Sequence, residues 1–121
     1  MNPKAEELKA RSKRFAVGVI ELMKDLPRTE TARVIERQLL KSATSVAANY
    51  RATCRARSKA EFIAKIGVVF EEADETVFWL ELLVDTRIFG LDKVARLLKE
   101  AEELLAIFAA SQNTARRQVG Q

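Results

Sequence analysis

Histidine is absent from this chain, and that single absence removes several classes of chemistry. Neither a Ser-His-Asp nor a Cys-His nucleophile system can be assembled, and the usual zinc sites and carboxylate-histidine di-metal centres of helical bundles fall with them. Cysteine occurs once, at Cys54, so no disulfide can close within the chain, and a lone thiol inside a helical pattern reads as a small packing residue. Two prolines and four glycines among 121 residues leave little room for turns and predict one domain that is nearly all helix. No apolar run approaches the roughly 18 residues that a membrane span needs, and residues 1–14 are too charged for a secretory signal, so the expected compartment is the cytoplasm and no membrane contact is expected. There is no Gly-rich phosphate loop and no internal repeat. No cofactor and no metal is expected, and an enzyme is the weakest functional reading.

What is present is helical periodicity. Over residues 3–25 the apolar positions Leu8, Phe15, Val19, Leu22 and Leu26 recur at helical steps, widened by Ala16, Ile20 and Met23. Pro27 breaks this helix. Thr29 or Thr31 then caps a second helix over about 30–55. Ser58 followed by Glu61 is a capping box, which opens a third helix over about 58–87. A fourth runs over about 91–112, after Gly90, with a polar tail at 113–121 that frays. Short connections between four helices predict an all-α, antiparallel up-down-up-down four-helix bundle.

Two of these helices carry more than a core stripe. Ile35, Leu39, Ser42, Val46, Asn49 and Thr53 follow one another at alternating steps of four and three, so three polar side chains share the buried seam of the second helix. A buried hydroxyl or amide without a partner costs about 1–3 kcal/mol. The seam therefore either bonds to backbone and facing side chains and fixes register, or it builds a ligand site. Folding back at Arg57 brings Ser42 near Glu72 and Ser45 near Val69, and a Ser42–Glu72 hydrogen bond is the expected satisfaction. The third helix turns Phe62, Ile63, Ile66, Val69, Phe70, Ala73, Val77, Leu80 and Val84 inward. At 100° per residue, Val68, Phe78, Trp79 and Leu82 fall on the other side among Glu71, Glu75 and Glu81. A second apolar face of this kind predicts a contact between copies. The acidic run Glu71, Glu72, Asp74 and Glu75, lacking histidine, reads as a solvated or inter-subunit ion-pairing surface rather than a metal site.

The net charge of +4 is unevenly placed once the topology is applied. One end of an alternating bundle collects Lys4, Lys9, Arg11, Lys13, Arg14, Arg51, Arg55, Arg57, Lys59, Lys65, Arg116 and Arg117 against Glu6, Glu7 and Glu61. The remainder is acidic. A concentrated basic end attracts phosphate backbones through counterion release, without reading sequence. The expected phosphate contacts are Lys9, Arg11, Lys13, Arg14, Arg51, Arg55, Arg57 and Lys59. Base stacking is not expected, since Tyr50 is the one aromatic near that end with any prospect of exposure.

The stretch QLLKSATSVAANYRATCRARSKAEFIAKIGVVFEEADETVFWLELL, residues 38–83, resembles the bacterial four-helix bundle family of ribosomal RNA intervening-sequence proteins. The resemblance extends over about 15–108 and is most specific at Ser42, Ser45, Ala48, Asn49 and Tyr50, followed by Ser58, Phe62, Glu72 and Glu75. One departure is Ala52, where the family usually has a glutamate two residues after the tyrosine. The chain is also similar to the accessory protein of diversity-generating retroelements. The resemblance implies a cytoplasmic homo-oligomer, a ring of five bundles, without established enzymatic activity. The expected function is thus that of a homo-oligomeric accessory protein binding RNA or DNA through its basic end. The alternative is a structural or adaptor module whose partner is another protein.

Overall fold

The computed structural model describes residues 2–120. It contains four helices and, among the described residues, no strand: α1 (Pro3–Met23), α2 (Glu30–Thr53), α3 (Lys59–Asp85) and α4 (Leu91–Val119). Each start follows from local chemistry. The Asn2 side chain accepts from the Lys4 N–H at 2.8 Å, with Pro3 in the first turn where its missing N–H costs nothing. Of the two candidate caps for α2, Thr29 is used, its hydroxyl accepting from the Ala32 N–H at 3.1 Å. Ser58 accepts from the Glu61 N–H at 3.0 Å. The Glu61 carboxylate does not complete a capping box; it lies 3.8 Å from Arg57.

The α3–α4 turn places its left-handed residue at Arg87 (φ 62°), while Gly90 caps α4 with an ordinary negative φ. The Arg87 N–H bonds to the Val84 carbonyl at 2.9 Å and the Phe89 N–H to the Leu83 carbonyl at 3.1 Å. This tight reversal returns Phe89 to the core, where it is buried.

The helices close around one apolar interior. Phe15, Val19, Leu39, Val46, Ile66, Val69, Leu80, Leu104 and Phe108 are its buried members, and the Tyr50 and Phe108 rings meet at 5.5 Å. α2 packs against α1 and α3, and α4 packs on α3; α1 and α4 meet sparsely, and the backbones of α1 and α3 stay apart across the core. Partner numbers fall on one helix as they rise on its neighbour. Arg11 reaches Glu100, and Asp25 reaches Lys93; Lys59 reaches Gln118, whereas Gly67 abuts Gln112.

Three expectations are corrected. The tail at 113–121 is not frayed over its described part: α4 continues to Val119, Ala115 is buried, and the Lys59 ammonium donates to Gln118 Oε1 at 2.6 Å. Ile20, assigned to the α1 stripe, is 42% exposed. On α3 the fully buried set is Ile66, Val69, Ala73, Thr76, Leu80 and Leu83. Phe62, Phe70, Val77 and Val84 pack against the core as expected but only half-buried, at its edges, and Ile63 is half-buried. Thr76 tolerates its place on that face because its hydroxyl bonds to the Glu72 carbonyl of its own helix and to Ser42 of α2, which a ranking by hydrophobicity cannot anticipate.

Candidate functional site

The polar seam of α2 is satisfied from within the bundle. Thr76 Oγ1 lies 2.9 Å from Ser42 Oγ and 2.7 Å from the Glu72 carbonyl, and Ser42 Oγ lies 3.2 Å from the Leu39 carbonyl. Each hydroxyl has one proton, so the three contacts form a short relay with two arrangements. Either Thr76 donates to Ser42 and Ser42 to Leu39, or Ser42 donates to Thr76 and Thr76 to Glu72. The expected bond from Ser42 to the Glu72 side chain is therefore not made; Thr76, one turn further along α3, takes that place. Asn49 donates its amide to the Ser45 carbonyl at 2.9 Å, and Thr53 donates to the Asn49 carbonyl at 2.8 Å. Ser45 and Asn49 are half-buried. Among the described residues no buried side-chain nitrogen or oxygen lacks a partner, so the seam holds no orphaned group aimed at a ligand.

Glu72 sits beside this relay, half-buried, at the edge of the acidic run. Burial raises its pKa, Glu75 and Glu71 raise it further, and Lys41 pulls it down. Among the described residues no three His, Cys, Asp or Glu side chains come together in a metal-holding group.

The basic end is assembled from all four helices. Asn2 and Ala5 of α1, Tyr50 and Thr53 of α2, the Arg57–Ser58 connection, and Lys59 and Phe62 of α3 line one depression there, and the Lys59–Gln118 bond brings in the end of α4. Arg51, Arg55, Arg57 and Lys59 are exposed, as are Lys13 and Arg14. Arg57 is 90% exposed and only loosely paired. Lys9 pairs with Glu6 at 3.2 Å.

Arg11 is placed differently. Its Nε and one Nη each meet a Glu100 carboxylate oxygen at 2.7 Å, and the same Nη meets Glu103 at 3.1 Å. A fork-to-fork pair of this kind is strong for its exposure. The bonds from Arg11 hold Glu100 below the usual carboxylate range, burial opposing them, and Glu100 in turn raises Arg11. Arg11 is thus a clasp between α1 and α4, and its charge is already matched. Tyr50 is also removed from the candidate contacts. It is buried against Phe108, and burial, reinforced by Cys54, pushes its hydroxyl pKa up. Cys54 itself is half-buried.

The second face of α3 divides in two. Phe78 is 51% and Val68 44% exposed. Trp79 and Leu82 are half-buried and pack on the core. The Trp79 indole N–H donates to Glu75 at 3.2 Å, and Phe78 stands edge-on to Trp79 with centroids 4.9 Å apart.

The chain has relatives. The family model described as 23S rRNA-intervening sequence protein matches residues 5–110. The chain belongs to that family. A solved structure from Bacteroides thetaiotaomicron, described as a protein of unknown function from the S23 ribosomal protein family, is similar at 32% identity with a TM-score of 0.80. The match covers 87% of this chain and 97% of that one. A search of curated proteins gives no match. Among the described residues, no helix of this intervening-sequence family member is long and apolar enough to cross a membrane.

Two features of the site escaped the sequence reading. Thr76 did carry a signal, since Ile66, Val69, Ala73, Thr76, Leu80 and Leu83 follow one another at alternating steps of three and four, but a polar residue is passed over when a stripe is drawn through the largest apolar side chains. The Arg11–Glu100 clasp joins residues 89 positions apart, and nothing local distinguishes Arg11 from Arg14.

Proposed function

We propose that this family member is a cytoplasmic, non-enzymatic accessory protein that assembles from antiparallel up-down-up-down bundles into a homo-oligomer, a ring of five, and binds RNA or DNA through its basic end. The observation that carries the reading is the meeting of all four helices at one end around exposed Arg55, Arg57 and Lys59. Arg51 continues that surface along α2, and Lys9, Lys13 and Arg14 flank it on α1. With Arg11 held by Glu100 and Tyr50 buried, the contacts are to phosphate, and bases are neither stacked nor read. Val68, Phe78, Trp79 and Leu82 provide the contact between copies. Repetition of the basic end around a ring multiplies its field.

The test is a salt titration of binding to structured RNA and to duplex DNA, with Arg55, Arg57 and Lys59 changed together to Ala. For three phosphate contacts at a slope of about −0.9 per contact, affinity falls roughly 40-fold between 50 and 200 mM salt. The triple variant loses that slope. Affinity indifferent to salt would refute phosphate contact, and a protein partner retained after nuclease treatment would favour the adaptor reading instead.

A further inference from the structure

Helices α1 and α2 leave an open groove between them. Ala10, Ala47 and Ala48 form its small-residue floor, and Val17 and Ile20 its apolar wall. Val17 is 52% exposed, although the core beneath it is filled. An apolar trough on a packed bundle marks a contact surface. Lys9, Lys13, Lys24, Lys41 and Arg51 line it toward both ends with Glu6 and Glu36; Lys9 pairs with Glu6 and Lys24 with Glu21, which leaves Lys13, Lys41 and Arg51 to set its charge. Its rim is basic.

The opposite object stands on α3, which lies diagonally across from α1. Phe78 and Val68 project from this helix, with Phe78 braced edge-on against Trp79. From Val68 to Leu82 the helix carries Glu71, Glu72, Asp74, Glu75 and Glu81 and no basic residue. It is an apolar crest with acidic flanks, the inverse of the groove in both shape and charge.

We infer that the α3 crest of one copy seats in the α1–α2 groove of a second copy, with the acidic flanks of the crest against the basic rim. Neither surface suits itself. Two crests would oppose ten carboxylates from Val68 to Leu82 and its counterpart, and two grooves would offer no projection to fill either floor. The contact is therefore heterologous, and heterologous contacts generate rings or open filaments rather than two-fold dimers. This rests on the homo-oligomeric reading above and supplies its receiving surface. It also reassigns two cations: Lys13 and Arg51 meet the neighbour's acidic flank, and Arg55, Arg57 and Lys59 remain for phosphate.

Heterologous pairing has a signature in mixing. Phe78→Asp spoils the crest and leaves the groove intact; Val17→Glu with Ala48→Glu spoils the groove and leaves the crest. All three positions are exposed, and helical circular dichroism with a thermal melt checks that each variant is folded. In sedimentation velocity the wild type runs as an oligomer, each variant alone as a 13.6 kDa protomer, and an equimolar mixture as a species of twice that mass. A groove variant that still assembles as the wild type does, or a mixture that stays monomeric, would overturn the inference while leaving the oligomer standing. A monomeric wild type would overturn the oligomeric reading itself, and the inference with it.

Discussion

The hydroxyl relay between α2 and α3 gives the sharpest quantitative expectation. Ser42 and Thr76 are both essentially fully buried, and Ser42→Ala and Thr76→Val are close to isosteric, so neither change opens a cavity. After Thr76→Val, Ser42 still donates to the Leu39 carbonyl at 3.2 Å; after Ser42→Ala, Thr76 still donates to the Glu72 carbonyl at 2.7 Å. Neither single variant strands a buried donor. Each should lose the worth of one satisfied hydrogen bond, about 1 kcal/mol, rather than the larger penalty of an orphan. The relay holds two bonds at a time, each single variant keeps one and the double variant keeps none, so the double should cost about 2 kcal/mol, the sum of the singles. Urea unfolding at fixed protein concentration measures this: with an m-value of about 1–3 kcal/mol per molar, each single moves the midpoint by roughly half a molar. A double variant costing clearly less than that sum would show that each single variant already breaks both bonds. A single variant losing more than about 3 kcal/mol would show that the backbone carbonyls do not take over.

Removing the clasp with Arg11→Met keeps the packing of the stem and deletes the ion pair; a loss of roughly 0.5–1 kcal/mol is expected because the pair is partly exposed. Glu100 is held low in the folded state, so this contribution is complete above the ordinary carboxylate range and disappears as pH falls through the lowered value, which chemical denaturation across acid pH resolves. Glu72 behaves in the opposite sense: its raised pKa means that the folded state disfavours the charge at neutral pH. Glu72→Gln should raise the melting temperature at pH 7 and leave it unchanged once pH is below the ordinary carboxylate range. Gly67→Ala places a Cβ 2.9 Å from the Gln112 amide nitrogen, the free end of a flexible side chain that can swing away. The gain in helix propensity should then stabilise the protein by about 0.5–1 kcal/mol in thermal or urea melts.

The helices were legible because each is written in local chemistry. Pro27 ends α1 without reference to any other residue, and Ser58 starts α3 by bonding to the amide three positions on. The alternating steps of four and three from Ile35 to Thr53 placed Ser42 and Thr53 in the interior before any partner was known. The end of α4 was misjudged because Gln112 to Gln118 looks polar residue by residue; the signal available was Ala115, seven positions beyond Phe108 and on the same face. The α3 stripe was misdrawn for a related reason. Thr76 is polar in composition and apolar in placement, its hydroxyl satisfied by the Glu72 carbonyl one turn back and by Ser42 on α2.

Sequence by itself determined what the backbone does within a few residues: where each helix begins, which seam of α2 is buried, and that no histidine-dependent chemistry is available. It also determined the totals of charge. The tertiary structure decided which charges remain free. Arg11 and Arg14 are indistinguishable along the chain, and both act on Glu100 through their charge, yet Arg11 is the one that bonds to it across the α1–α4 seam while Arg14 stays exposed. The same holds for Ser42, whose partner was fixed by the rotation of α3 against α2. Periodicity is a property of neighbours in sequence, whereas ion pairing and hydroxyl pairing depend on register between helices, and register is set by how whole faces pack.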